Sequence, residues 1–210
     1  TIYNNITVNG IANFTGKQSG SGNWTFKDDS AGNGTVDNDS QVTYTESFNG
    51  AGFAGSYRNL TVNGKAVFGD VVIENLFDGA GDVTFAGTTG GDATASHTGS
   101  VTYNETAQLV YGGIYGDLTL KGTRTLANDF KVNGLATIND VQTVDADIDF
   151  VGTTNAKTAG EVINAVSGTV SYVKGADIYG GTYNNLTSLG DNTIYNNITV
   201  NGIANFTGKQ

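Results

Sequence analysis

Apolar residues along this chain come in pairs separated by one residue, and the pairs recur at six-residue steps. The clearest run starts at Leu118/Leu120 and continues through Leu126, Phe130/Val132, Ala136/Ile138, Val144 and Ile148/Phe150. Those steps begin at 118, 124, 130, 136, 142 and 148 without a slip. A looser run opens the chain: Ile6/Val8, Ala12/Phe14, a polar step at Gln18, then Trp24/Phe26. Alternation inside each pair predicts short strands with one buried face. Between the pairs sit corner residues suited to tight turns, namely Asn9-Gly10, Asn63-Gly64, Asn133-Gly134, Asn139-Asp140 and Asn201-Gly202.

A six-residue step admits two chain paths. Asn-Gly between apolar runs is a hairpin signal. In the stretch 60–68, LTVNGKAVF, a two-residue turn would group Leu60, Val62, Lys65 and Val67 on one face and send Phe68 to the other. A three-residue corner instead keeps Leu60, Val62, Ala66 and Phe68 all inward. Three strands and three corners then make a coil of about eighteen residues, the geometry of an all-β parallel β-solenoid, or β-helix. A three-residue hairpin loop gives the same faces, so an antiparallel β-sandwich remains as the alternative. That sandwich would suit a filament subunit joined to its neighbours by strand donation.

Longer repeats lie above the hexads. Val42-Thr43-Tyr44, Val101-Thr102-Tyr103 and Val170-Ser171-Tyr172 each open a module. A second element follows each: Tyr57 to Thr61, Tyr115 to Thr119 and Tyr183 to Thr187. A third closes it: Val83-Thr84-Phe85, Ile148-Asp149-Phe150, and Trp24-Thr25-Phe26 across the wrap. The wrap exists because residues 193–210, TIYNNITVNGIANFTGKQ, repeat residues 1–18 without a substitution. The expected organisation is a single repetitive β domain over 1–210: one 192-residue period plus an 18-residue copy of its start. Its modules fall near 42–100, 101–169 and 170–210, the last continuing into 1–41. The polar stretches 27–40, 86–100 and 151–167 lack the apolar pairs and read as loops or weak coils projecting from the stack. Within the last, residues 161–166 read as a short helical turn.

Composition narrows the class. Gly contributes 31 of 210 residues, about twice the usual ~7%, and Pro, Cys and Met are absent. Without Met the chain is expected to be processed or an excerpt. Zero cysteine removes disulfides, thiolate metal sites and cysteine nucleophiles. Twenty acidic residues against ten basic ones give a net charge of −10, which argues against a nucleic-acid partner and against contact with an anionic membrane surface. A chain rich in Gly, Asn, Thr and Ser with few charges suits an extracellular β-protein better than a cytosolic enzyme.

The series from Val101 to Ile138, with V-T-Y-N, Y-G-D-L-T-L-K-G, T-L and F-K-V-N-G-L-A-T-I in order, resembles repeat regions of large bacterial and archaeal surface proteins. Filamentous-haemagglutinin-like adhesins and autotransporter passengers are of this kind. The resemblance implies a right-handed β-helix displayed at the cell surface.

Candidate chemistry is thin. His97, the single histidine, lies between Ser96 and Thr98. A Ser-His-Asp site needs a nucleophile within reach of the imidazole, but neighbours on an extended segment point to opposite sides, so His97 reads as an exposed loop residue. Asp145, Asp147 and Asp149 alternate and would share an outward face, where carboxylates could meet Ca²⁺ or act on a glycan. A solvated acidic stripe is the plainer reading, and Asp28-Asp29 and Asp37-Asn38-Asp39 are read in the same way. Ten Asn-x-Ser/Thr triplets, at Asn5, Asn13, Asn23, Asn33, Asn38, Asn59, Asn104, Asn185, Asn197 and Asn205, are glycosylation acceptors in a competent secretory system. Outward Asn and Thr around an apolar residue write the same triplet automatically. Tyr44, Tyr57, Tyr103, Tyr115, Tyr172 and Tyr183 recur at equivalent places; exposed, they could stack on sugars, and stacking in the core or at corners is the simpler expectation.

These readings predict no catalytic, cofactor or metal residues, with Ca²⁺ as the single cofactor alternative. They predict a non-catalytic extracellular segment that forms a stalk, filament or adhesive shaft, with copies of itself as partners. A filament subunit assembled by strand donation and a glycan-binding β-helix are the alternatives.

Overall fold

In the stretch that the hexads mark most clearly, a computed structural model covering residues 1–210 places strands at Gly112–Leu120, Arg124–Leu126, Phe130–Val132, Ala136–Ile138, Gln142–Asp145 and Ile148–Phe150. Each lies beside the strand three steps on, and in parallel. Leu118 faces Ala136, Arg124 faces Gln142 and Phe130 faces Ile148. The chain therefore turns three corners before returning over itself one coil later. This is a parallel β-solenoid. The antiparallel sandwich is excluded at the segment chosen to separate the two, because Lys65–Phe68 does not fold back on Leu60 and Val62. It pairs in parallel with Asp82–Phe85, Phe68 facing Phe85.

Two compact units, Thr1–Ala107 and Gln108–Gln210, divide the chain. In the first, Ile6 faces Trp24, Trp24 faces Val42, Val42 faces Leu60, Leu60 faces Phe77 and Phe77 faces Ala95. In the second, Phe130 faces Ile148, Ile148 faces Val170, Val170 faces Leu186 and Leu186 faces Ala204. The strand pairs of residues 193–210 lie on residues 177–189 as the next coil of the second unit.

The interior follows from alternation. Leu118, Leu120, Leu126, Phe130, Val132, Ala136, Ile138, Val144, Ile148 and Phe150 are all buried, while Thr125, Asp145 and Asp149 between them are exposed. Each large aliphatic or aromatic side chain so buried contributes about 1.5–3 kcal/mol. Backbone hydrogen bonds run from coil to coil, so corners as well as strands find partners, as in Asn133 N to Tyr115 O at 2.9 Å and Gly134 N to Gly116 O at 2.8 Å.

Two expectations need correction. The polar stretches do not project as loops. Thr35–Tyr44 and Thr94–Tyr103 are long strands inside the stack, and each of the three stretches contributes to a coil. A parallel ladder needs backbone, not bulk, and small inward residues such as Ala93 and Ala95 are covered by the coils beside them. The expected helical turn at residues 161–166 is also displaced. A single turn forms at Ala156–Ala159, and Glu161–Ser167 is a strand. Val162, Ile163 and Val166 are β-branched and suit the pleated surface.

Aromatic residues give the modules their internal order. The closing phenylalanine of one module lies in register under the opening tyrosine of the next. Phe26–Tyr44, Phe85–Tyr103 and Phe150–Tyr172 have ring centroids 5.2, 5.0 and 5.1 Å apart, tilted by 33°, 33° and 30°. Each such contact adds about 0.5–1.5 kcal/mol beyond the area it buries. The second element carries a pentad, Phe53-Ala-Gly-Ser-Tyr57, Tyr111-Gly-Gly-Ile-Tyr115 and Tyr179-Gly-Gly-Thr-Tyr183. Its central glycine has φ of 134°, 125° and 134°, a conformation that L side chains resist. The turn lets the last hydroxyl reach back to the carbonyl of the first residue: Tyr57 to Phe53, Tyr115 to Tyr111 at 2.6 Å and Tyr183 to Tyr179 at 2.5 Å.

Candidate functional site

His97 stands on the inner face of Thr94–Tyr103, fully buried and stacked on Phe77 with ring centroids 5.0 Å apart. The exposed-loop reading is therefore overturned. Strand alternation carries Ala93, Ala95, His97, Val101 and Tyr103 inward together. Burial lowers the imidazole pKa; nearby backbone at Val62 and Gly99 offsets part of that effect, and the Asp78 and Asp82 charges offset a little more. Neither ring nitrogen makes a hydrogen bond of good geometry within the protein. The neighbouring Ser96 is exposed, on the opposite side of the strand, so no Ser-His arrangement forms. In the strand Thr35–Tyr44 its counterpart is Asn38, a buried polar residue whose Nδ2 donates to Gly22 O at 2.9 Å.

Asp145, Asp147 and Asp149 are exposed as expected, and they do not converge. Asp145 accepts from the Ser167 hydroxyl, and Asp147 Oδ1 accepts from Thr169 N at 2.7 Å. No group of three or more His, Cys, Asp or Glu side chains is placed to hold a metal ion. In place of a ligand cluster, acidic residues and asparagines serve the corners. Asn5, Asp70, Asp117, Asp129, Asn185 and Asp191 each accept, through Oδ1, from the backbone N–H eighteen residues on. The distances run from 2.6 to 2.9 Å. At Asp70 the Thr88 N–H and the Thr88 hydroxyl both donate, and they hold its carboxyl below the usual range. These bonds extend the backbone ladder around the corners. No sequence motif announced them, because donor and acceptor become neighbours only once the coil length is known.

The six recurring tyrosines are all fully buried. Tyr44 and Tyr57 hydroxyls lie 3.3 Å apart, and those of Tyr172 and Tyr183 lie 2.9 Å apart. None of the six offers a ring face on which a sugar could stack. Among the Asn-x-Ser/Thr triplets, Nδ2 is occupied at Asn38, at Asn59 by Ser40 O, at Asn185 by Gly168 O and at Asn197 by Glu161 Oε1. Asn13 and Asn205 are exposed. A groove is lined by Asp37, Asp39, Arg58 and Glu74, among others, and Asp37 pairs with Lys17 at 2.6 Å.

Ile6 and Val8 are half-buried where Trp24 and Phe26, one coil later, are fully buried. In the last coil the strand Ala204–Thr207 is exposed at every residue, with Phe206 40% and Ile203 71% accessible. No known protein family, curated protein or solved structure matches the chain.

Proposed function

We propose that this chain is a non-catalytic structural element, a shaft or filament segment that extends by stacking coil on coil and belongs at the cell surface. The observation that carries the proposal is the parallel ladder itself, in which the coils of either unit offer their strands and inward side chains to the next. Coils that contact only their neighbours can be added one on the next without a natural limit, which suits a shaft. The acidic, cysteine-free composition rich in Gly, Asn and Thr supports the surface location, and exposed acceptor triplets such as the one at Asn13 are consistent with glycosylation there. Electron microscopy and fibre diffraction of the concentrated chain test the proposal. End-to-end filaments with an axial repeat of ~4.8 Å are expected, and a chain that stays monomeric at every concentration overturns it.

A further inference from the structure

We infer that Gln41, Thr61 and Asp78 form a self-modifying site, in which the Thr61 hydroxyl displaces ammonia from the Gln41 carboxamide and leaves an ester that staples two neighbouring coils. The staple stands or falls independently of the shaft reading.

The three side chains meet on the outward face of the first unit. Thr43 faces Thr61 and Thr61 faces Asp78 in the parallel ladder. Gln41 precedes Thr43 by two residues, so alternation places it on the same face, diagonal to Thr61. Its Nε2 donates to Thr61 Oγ1 at 2.9 Å and to Val42 O at 3.0 Å. The Thr61 hydroxyl in turn donates to Asp78 Oδ1. All three residues are half-buried, which thins the water that would compete with the hydroxyl. A nucleophile, a base on its proton and an acyl carbon one bond beyond the contacting nitrogen are therefore held by three successive coils.

The chemistry balances without a further reactant. A turn about the last side-chain torsion of Gln41, a soft one, brings the face of Cδ to Thr61 Oγ1. Oγ1 bonds to Cδ as Asp78 takes the hydroxyl proton. The Cδ–Nε2 bond then breaks, its electron pair leaves with nitrogen, and the proton passes from Asp78 to that nitrogen. Ammonia departs, an ester joins Gln41 to Thr61, and Asp78 is regenerated. Amides resist such attack in solution, but well-oriented partners in one molecule reach effective concentrations of about 10⁵–10⁸ M.

The neighbouring coils lack the combination. Thr7 faces Thr25 and Thr25 faces Thr43, so those hydroxyls face another threonine where Thr61 faces a carboxylate. The amides beside them belong to Asn5 and Asn23, each one methylene shorter than glutamine. Asn5 Oδ1 is held by Asn23 N at 2.8 Å, and Asn23 Oδ1 by the Ser40 hydroxyl at 2.7 Å.

Mass spectrometry of the full chain, kept folded at neutral pH, tests the site. Loss of one ammonia is expected, and trypsin, cutting after Lys27, Arg58 and Lys65, is expected to release residues 28–58 and 59–65 as one linked species. Hydroxylamine, which cleaves esters, separates them. A succinimide at an Asn-Gly corner also loses ammonia but leaves these peptides apart. Thr61→Val is expected to abolish the linked species, and Asp78→Asn to slow its formation by about 10²–10⁴-fold. Thr43→Val, the same change at the facing threonine, is expected to leave it intact, with circular dichroism confirming that all three variants fold. Absence of the linked species from the unaltered chain overturns the inference, as does its persistence in Thr61→Val. Conversion of Gln41 to Glu without any linked species also overturns it, since water is then the nucleophile.

Discussion

At the scale of single residues, the polar atoms inside the coils set how the protein responds to pH. Burial raises the Tyr44 pKa to about 12 and pushes Tyr57, Tyr172, Tyr179 and Tyr183 upward as well. The fold prefers the neutral phenols, so their contribution is full below the unfolded value of ~10 and is lost as pH rises past it. Phenolate absorbance from these five and loss of β-sheet circular dichroism are expected to rise and fall together in an alkaline titration. Separate transitions would show that the hydroxyls are not sealed in. His97 works in the opposite direction: its depressed pKa contributes stability above ~6.5 that is lost as pH falls through the folded value. His97→Phe keeps a ring on Phe77, and a urea midpoint that no longer drops between neutral and mildly acidic pH is the expected result. Tyr183→Phe removes the donor to Tyr179 O and one partner of the Tyr172 hydroxyl, at a cost of about 1–3 kcal/mol. Tyr195→Phe, at a half-exposed ring, is expected to stay within about 0.5 kcal/mol.

At the scale of elements, the hexads from Leu118 to Phe150 were legible because inward residues are apolar at every step and the corners never change length. The three-residue corner followed from Phe68, which a tight hairpin would have turned outward. Where inward positions are filled by Ala93, Ala95, His97 and Asn38, the same alternation is present but hydrophobicity no longer marks it, and strands looked like loops. The odd-numbered sequence from Ala93 to Tyr103 was the available signal. The aromatic-x-Gly-x-Tyr pentad was also in view as letters. Its hydrogen bond was not, since it depends on a backbone angle that sequence spacing does not encode. That angle makes a sharp test. At Gly181 φ is 134° and a Cβ would stand 2.0 Å from Ile163 O, so Gly181→Ala is expected to destabilise the second unit by well over the ~1 kcal/mol of an ordinary glycine substitution. Gly10 has nothing within 4 Å of an added Cβ, and Gly10→Ala is expected to leave the urea midpoint unchanged.

At the scale of the whole molecule, a net charge of −10 opposes the meeting of copies that the proposed stacking requires. Raising ionic strength from ~0.01 to ~0.15 M shortens the screening length from ~30 to ~8 Å. Association measured by sedimentation is expected to strengthen over that range; a fall would place attractive ion pairs, not apolar coil faces, at the junction. Coils here differ in length, since Phe130 faces Ile148 but Ile148 faces Val170, and the ladder absorbs the extra residues at a corner. Each coil asks of its neighbour a matching row of amides, a methyl or ring to cover and, at six corners, a backbone N–H for an Asn or Asp oxygen. Copying or deleting a whole coil therefore keeps the parallel ladder in register, while losing half of one breaks two rows at once. Genes for such a chain can lengthen or shorten by recombination in whole-coil steps, and two stretches that encode the same eighteen residues are the natural place for recombination to begin.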